Sequence, residues 1–508
     1  MKKVKLLLIN VIIVSATSLI IRTVGISFQV YISNKIGPMG IGLFQLITSI
    51  YSFAITFSIS GVRLATTRLV AEELGKNKRS QAKKALRICF TYASGFGITA
   101  SVILFFSAGF IGKNLLNDLR TVSSLKILAF SLPLIAISSV LSGYFTAVRR
   151  VAKTAVVQIF EQLISIGVTI ACFTVFSPNS IEGACIAIVI GSCAGELTSF
   201  LFLLLLFYFD VRRYQEIKRS SKLLSRMIKI AMPVALGAYI SSGMRTVQQL
   251  LIPYGFKKSG ASSESALSAY GTVNGMAMPV IMYPSVLFYT LSDLIVPELA
   301  ECKVQGKTDR INSITTKLFN LGMIASLCIM SVFLFYSGEL SSVIYNNNST
   351  AYLMRILSPL VPLMYLDTLV DGVLKGIGEQ VRTMYYNSFE SFISVILIYF
   401  LLPRYALNGY IFTIIFARAL NFSLSCNRLI KVTDFRISIK NILKSVFSII
   451  GSFNITCLIS YFIKNMICSK VSALLIHITL FTLFYFLILI IISDYKKLNK
   501  KSLFSINT

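Results

Sequence analysis

Long apolar runs separated by short polar loops dominate this sequence. They fall at about residues 6–32, 43–62, 88–112, 125–147, 154–176, 183–209, 228–253, 268–295, 314–336, 353–374, 384–402, 408–427, 441–463 and 471–493. Each is long enough to cross a hydrocarbon core of about 30 Å as a helix. A backbone inside lipid must satisfy its own hydrogen bonds, so a chain of such runs is an all-α integral membrane protein with 14 transmembrane helices. Two runs are broken: 268–295 by Pro279 and Pro284, and 353–374 by Pro359, Pro362, Asp367 and Asp371. The first run follows Lys2, Lys3 and Lys5, as a signal peptide would. It continues past Arg22 to Ile32 with no small-residue cleavage site, which predicts a retained helix.

Composition agrees. Only 14% of the 508 residues are charged, yet the formal net charge is +29. Soluble domains hold about a quarter charged residues. Such basicity prompts a nucleic-acid reading, but the apolar runs leave no continuous basic face. With the N-terminus inside, 36 of the 49 Lys and Arg fall on inner segments, eight on outer loops and five in or at the spans. That bias places both termini in the cytoplasm of a multi-pass cell-membrane protein and assigns the basic stretch from Lys76 to Arg87 to anionic lipid headgroups, with no nucleic-acid partner. One His (His477) and nine scattered Cys without C-x-x-C spacing give neither a zinc site nor a disulfide framework. No phosphate-binding glycine loop is present, so an enzyme is not expected.

An internal repeat organises the spans. Pro133, Gly143 and Glu161 recur as Pro362, Gly372 and Glu390, each 229 residues on. Glu72 and Glu301, Phe106 and Phe335, Gly109 and Gly338, and Lys126 and Arg355 share that offset. Upstream, Arg22-Thr23-Val24 pairs with Arg245-Thr246-Val247 at 223. The expected division is an N-lobe (1–212, helices 1–6), a C-lobe (222–432, helices 7–12) and residues 433–508 with helices 13–14 and a tail. Two parallel six-helix repeats can enclose a central site and alternate its access by rocking.

Charges inside spans are expensive and are candidates for function. Arg22 and its equivalent Arg245 could face each other, and guanidinium forks bind phosphate bidentately. Each could equally pair internally or snorkel to an interface. Arg63 and Arg68 close the second span and could reach a cavity mouth, although snorkelling suits them better. Asp367 and Asp371 lie one turn apart and could hold Na⁺ or a proton, or bridge to Lys375 or an intramembrane Arg. Glu161 and Glu390 are repeat-equivalent and suit hydrogen bonds between bundles.

The stretch Gly37-Pro-Met-Gly-Ile-Gly-Leu-Phe-Gln45, after an Arg-bearing first helix, resembles the polysaccharide-transporter branch of the multidrug/oligosaccharidyl-lipid/polysaccharide exporter superfamily. So do Ser60-Gly-Val-Arg-Leu-Ala with Leu69-Val-Ala-Glu-Glu73, Glu161-Gln-Leu163, Ile398-Tyr-Phe-Leu-Leu-Pro-Arg-Tyr405, Asn408-Gly-Tyr410 and Asn427-Arg-Leu-Ile-Lys431. Ser165 departs from the pattern, which commonly has Arg there. The resemblance implies two pseudosymmetric MATE-like lobes around a cationic cavity, plus two C-terminal helices that form a groove for a lipid tail. It implies a monomeric flippase for a lipid-linked oligosaccharide, a peptidoglycan precursor for spore cortex, with membrane lipids and cell-wall synthases as partners. In related lipid II flippases, arginines of helices 1, 2 and 8 line the cavity; Arg22 matches the first, and Arg245 matches more loosely. The candidate substrate contacts are Arg22, Arg245, Arg63, Arg68 and Glu161. Ion coupling falls to Asp367, Asp371 and Glu390, driven by Na⁺, H⁺ or the membrane potential, with no other cofactor. Two other functions stay open: a cation-coupled multidrug antiporter of the same fold, and a non-transporting scaffold for cortex synthesis.

Overall fold

The computed structural model describes residues 2–75, 79–176, 178, 180–211, 223–433, 435, 439–463 and 469–504. The helices are α1 Lys2–Ile59, α2 Val62–Gly75, α3 Arg79–Phe110, α4 Val122–Ala129, α5 Leu132–Ala147, α6 Val151–Phe176, α7 Ile181–Val211, α8 Leu223–Lys258 and α9 Ser263–Gly271. They continue as α10 Met278–Met282, α11 Ser285–Val304, α12 Thr308–Ile344, α13 Asn348–Leu357, α14 Leu360–Gly376, α15 Gln380–Val432, α16 Ile439–Ile463 and α17 Lys470–Phe504. No strand occurs among the described residues.

Nine of the described helices are long and apolar enough to cross a membrane, or twelve if each of three bent pairs is one span. The bends are 44° between Leu119–Ala129 and Leu132–Ala147, 57° between Ser263–Met282 and Ser285–Val304, and 57° between Asn348–Leu357 and Leu360–Gly376. Prolines explain them, because each second piece has a proline within or just ahead of its first turn. The long helices α1 and α15 also break, at Gly37 (φ 69°) and Ala406 (φ 47°). Dividing them there is compatible with the fourteen spans read from the sequence.

The duplication is visible in the backbone. Asn117 and Asn346, 229 apart, both take a left-handed conformation (φ 51° and 50°). The next residue then caps a helix in each copy: Asp118 accepts from the Arg120 amide, and Asn347 from the Ser349 amide. The turn after α5 bonds Val148 to Tyr144, Arg149 to Thr146 and Arg150 to Phe145. The turn after α14 bonds Ile377 to Val373, Gly378 to Lys375 and Glu379 to Leu374, again 229 on. Gly143 and Gly372 are held by close approach: a Cβ at Gly143 would lie 2.7 Å from the Arg63 carbonyl, and at Gly372 2.1 Å from Ser292 Oγ. Arg63 and Ser292 are themselves 229 apart.

The chain packs as two compact units, residues 1–275 with 391–410, and 276–390 with 411–508. This division differs from the halves 1–212 and 222–432 that the repeat suggests. The helices α8 and α9 belong to the first unit because they pack along α1 and α2. The first unit has its core among Val62, Ala65, Leu69, Ala85, Val140, Tyr144 and Phe145. In the second, α16 and α17 close on α12 through Leu327, Tyr336, Ile449, Phe481 and Tyr485.

Candidate functional site

The first unit carries five of the sequence-picked residues. Arg22 on α1 and Arg245 on α8 are both exposed within apolar helices. Arg63 is exposed at the start of α2. Its carbonyl accepts from Thr67, so its backbone is committed to the helix while its side chain points outward. Arg68 ion-pairs with Glu72 at 2.9 Å, one turn on. Glu161 lies against α7, where a Cβ at Gly195 would be 2.9 Å from the Glu161 carbonyl and 3.6 Å from its Cγ. Small residues bring these helices close, since Gly191 meets Ser165 and Thr169 one turn away. Ser165, where the resemblance expects Arg, fills this narrow contact; an arginine there would part the two helices.

The second unit holds the other three. Asp367 and Asp371 lie on the same face of α14. Two amides from the two arms of α15 meet them. Asn421 Nδ2 donates to Asp367 Oδ2 (2.8 Å) and to Asn387 Oδ1 (3.0 Å), and Asn387 lies beside Asp371. Asn421 is only 1% exposed. Asp367 Oδ1, Asp371 Oδ1 and Asn421 Oδ1 are buried and accept no hydrogen bond. Three orphan acceptor oxygens on two acids and an amide are costly in an apolar surrounding. Hard cations take oxygen ligands of this kind. Arg418 and Lys375 supply positive charge nearby. Glu390, 8% exposed, lies three residues beyond Asn387 and so on the same side of α15.

The amides Asn387 and Asn421 escape a search for charged residues in spans. Their signal is a primary amide inside an apolar run, as in Ala-Leu-Asn421-Phe. Ion pairs at the helix ends are also unread by pattern. Arg226 bridges Glu72 and Glu73, the latter buried. Asp210 takes Arg150, Lys153 and Tyr144. Glu379 takes Arg428 (2.8 Å) and Arg382 (3.2 Å). The Arg428 guanidinium bonded to Glu379 holds that carboxyl below its usual range. Every one of these contacts joins residues that the charge count assigns to one side of the membrane.

The polysaccharide biosynthesis protein family matches residues 7–303, more than half of the chain, and the MatE family matches 259–400. The chain is 26% identical over 408 residues to stage V sporulation protein B of Bacillus subtilis (strain 168), covering 78% of each chain. It is 18% identical to sporulation protein YkvU of the same organism, over 73% of this chain and 82% of that one. Among solved structures, the lipid II flippase MurJ in an inward closed conformation superposes with a TM-score of 0.70 at 14% identity, covering 96% of this chain and 99% of that one. An inward-facing multidrug resistance MATE family transporter superposes with a TM-score of 0.64 at 11% identity, covering 82% and 98%. These likenesses confirm the fold expected from the sequence, an all-α membrane protein with MATE-like and MurJ-like architecture. With its family matched along residues 7–303, this chain belongs to the polysaccharide biosynthesis protein family.

Proposed function

We propose that this chain flips a lipid-linked oligosaccharide with a pyrophosphate headgroup, a peptidoglycan precursor serving spore cortex, by alternating access. The observation that carries the reading is the pair Arg22 and Arg245, repeat-equivalent and exposed on apolar helices of one compact unit. A guanidinium in a span is costly unless it meets an anion or water. Its planar fork matches phosphate oxygens and keeps its charge at any working pH. Arg63 and Arg68 extend the positive field along α2, and Glu161 can accept from sugar hydroxyls. A cationic drug would be repelled by such a surface, which disfavours the multidrug reading. A scaffold would need no charges in its spans. Sequence likeness to two sporulation proteins supports the cortex assignment.

In this reading the termini lie in the cytoplasm, the protein acts as a monomer among membrane lipids, and cell-wall synthases take the product on the outer side. Asp367, Asp371 and Asn421 would hold a coupling cation, Na⁺ or H⁺, with Glu390 nearby. Bound there, a cation supplies positive charge to oxygens that otherwise lack a partner.

The test is translocation of fluorescent lipid II in proteoliposomes. Arg22→Ala and Arg245→Ala should each slow flipping about tenfold or more, as expected when a charge-assisted phosphate contact of about 1.5–3 kcal/mol is lost. Lysine at either position should restore part of the rate. Unchanged flipping in both alanine variants would refute the role.

A further inference from the structure

Helix α8 opens the second repeat in sequence, yet it runs antiparallel along α1 and α2 of the first. The seam can be followed step by step. The Thr246 hydroxyl donates to the Ser49 carbonyl (3.2 Å), Gly243 abuts the Phe53 ring, and Thr56 Oγ1 donates to Ser242 Oγ (3.1 Å). Next, the Tyr239 hydroxyl donates to Ser60 Oγ (2.6 Å), which also bonds Tyr92 (2.9 Å). A Cβ at Gly61 would lie 2.5 Å from the Ala231 carbonyl. At the far end Arg226 reaches Glu72 and, at 2.9 Å, Glu73.

Two features set this seam apart from a fixed packing surface. Above Ala231 its polar links are hydroxyl bonds, set among the Phe53 and Phe57 rings, and such bonds can be exchanged for water when the helices part. Next to the ion pairs, Met227 and Ala231 are buried in the core of the first unit. Glu73 is 2% exposed, so its charge is tolerated only while a cation stays with it. Among the described residues the clamp has no copy at the repeat-equivalent positions of its acids. At the repeat-equivalent positions stand Glu301, which takes Gln305 on its own helix, and the neutral buried Cys302.

We propose that Arg226, held by Glu72 and Glu73, is a releasable lock at the end of the α8–α2 seam assigned to the cytoplasm, and that opening the central site to the cytoplasm requires it to part. This rests on the alternating-access reading, in which the two repeats rock against each other. Arg226 belongs to the second repeat in sequence but packs with the first, so a cycle that moves the repeats apart exchanges its partners. The polar order of the seam suits that task, because an ion pair at the rim holds a row of weaker hydroxyl bonds shut.

The test reads conformation and needs no substrate, so failure of the flippase reading leaves it intact. Full-length chain carrying Ser242→Cys, in inside-out membrane vesicles, is labelled with a charged, membrane-impermeant maleimide, and the chain without that cysteine supplies the background rate. Arg226→Gln should speed labelling several-fold, and so should Glu72→Gln with Glu73→Gln, which leaves no buried charge unpaired and guards against misfolding of the first variant. Reversal of all three charges, Arg226→Glu with Glu72→Arg and Glu73→Arg, should return the rate toward that of the parent. Equal labelling in the folded double glutamine variant and the parent would overturn the lock, as would a charge-reversed chain that labels as fast as Arg226→Gln.

Discussion

The turns that follow α5 and α14 have the same backbone and opposite chemistry. Both close with the same three hydrogen bonds, and both pass through a left-handed residue, Arg149 (φ 59°) and Gly378 (φ 79°). In the first copy the next residue, Arg150, reaches Asp210 at the end of α7. In the second it is Glu379, reaching Arg428 near the end of α15. The charges have changed places while the brace survives. The same divergence occurs in the spans, where Asp367 and Asp371 stand at the positions of Ser138 and Ser142 in the first copy. Duplication kept what the backbone needs and released the side chains. The arginines Arg22 and Arg245 are kept in both copies, so what separates the copies is the acidic pair and not the cationic one.

The largest effect should come from making the second copy resemble the first at its acidic pair. The parent chain in detergent should gain thermal stability when sodium replaces choline, by about 2.7 kcal/mol at a hundred times the dissociation constant. Asp367→Ser with Asp371→Ser should abolish that gain, and the acid-free chain should match or exceed the sodium-free parent because two carboxylate oxygens without donors are gone. A melting series in both salts decides it. A sodium response that survives the double substitution would place the cation elsewhere.

A smaller difference separates the two braces in acid. The Glu379 carboxyl titrates below its ordinary value of 4.5 when folded. Its contribution is thus complete above about pH 4.5 and is lost as pH falls through the depressed folded value. Arg428 and Glu379 are about one-fifth exposed, so a contribution of about 1 kcal/mol is expected. Glu379→Gln should lower stability at neutral pH by that amount and remove this part of the acid dependence. Chemical unfolding at pH 7 and at pH 3.5 measures both, and equal losses at the two pH values would contradict the pairing.

Much of the architecture can be read from spacing, because apolar run length, loop charge and a constant offset are local or periodic quantities. Pro284 and Pro359, which break two of the apolar runs in the sequence, stand at two of the three bends. The third falls in 125–147, which run length predicts as one unbroken span; Pro133, just inside α5, marks it in the structure. Individual partners were not legible. Arg226 and Glu73 are 153 residues apart, and no periodicity pairs them. Asn387 and Asn421 are neutral, so a search for buried charge passes over them, although Asn421 makes the two bonds that tie Asp367 to Asn387. The packing of α8 with the first unit was hidden for a related reason. The repeat records ancestry, whereas the partner of a helix is fixed by which small residues and hydroxyls face each other.

The finest distinction between the copies is the left-handed residue itself. L-residues with a Cβ lose roughly 1–2 kcal/mol in this conformation, and glycine loses nothing there. Glycine also frees the unfolded chain, at about 0.5–1 kcal/mol. The net difference should be about 0.5–1 kcal/mol, with opposite sign in the two turns. Arg149→Gly should stabilise the first turn, and Gly378→Ala should weaken the second. A Cβ at Gly378 would meet nothing nearer than Lys303 Nζ at 3.9 Å, so crowding adds no cost and the backbone conformation alone sets the loss. Unfolding midpoints of the two variants, compared with the parent, read this directly. If both shift the same way, the two turns do not share the strain that their matching hydrogen bonds imply.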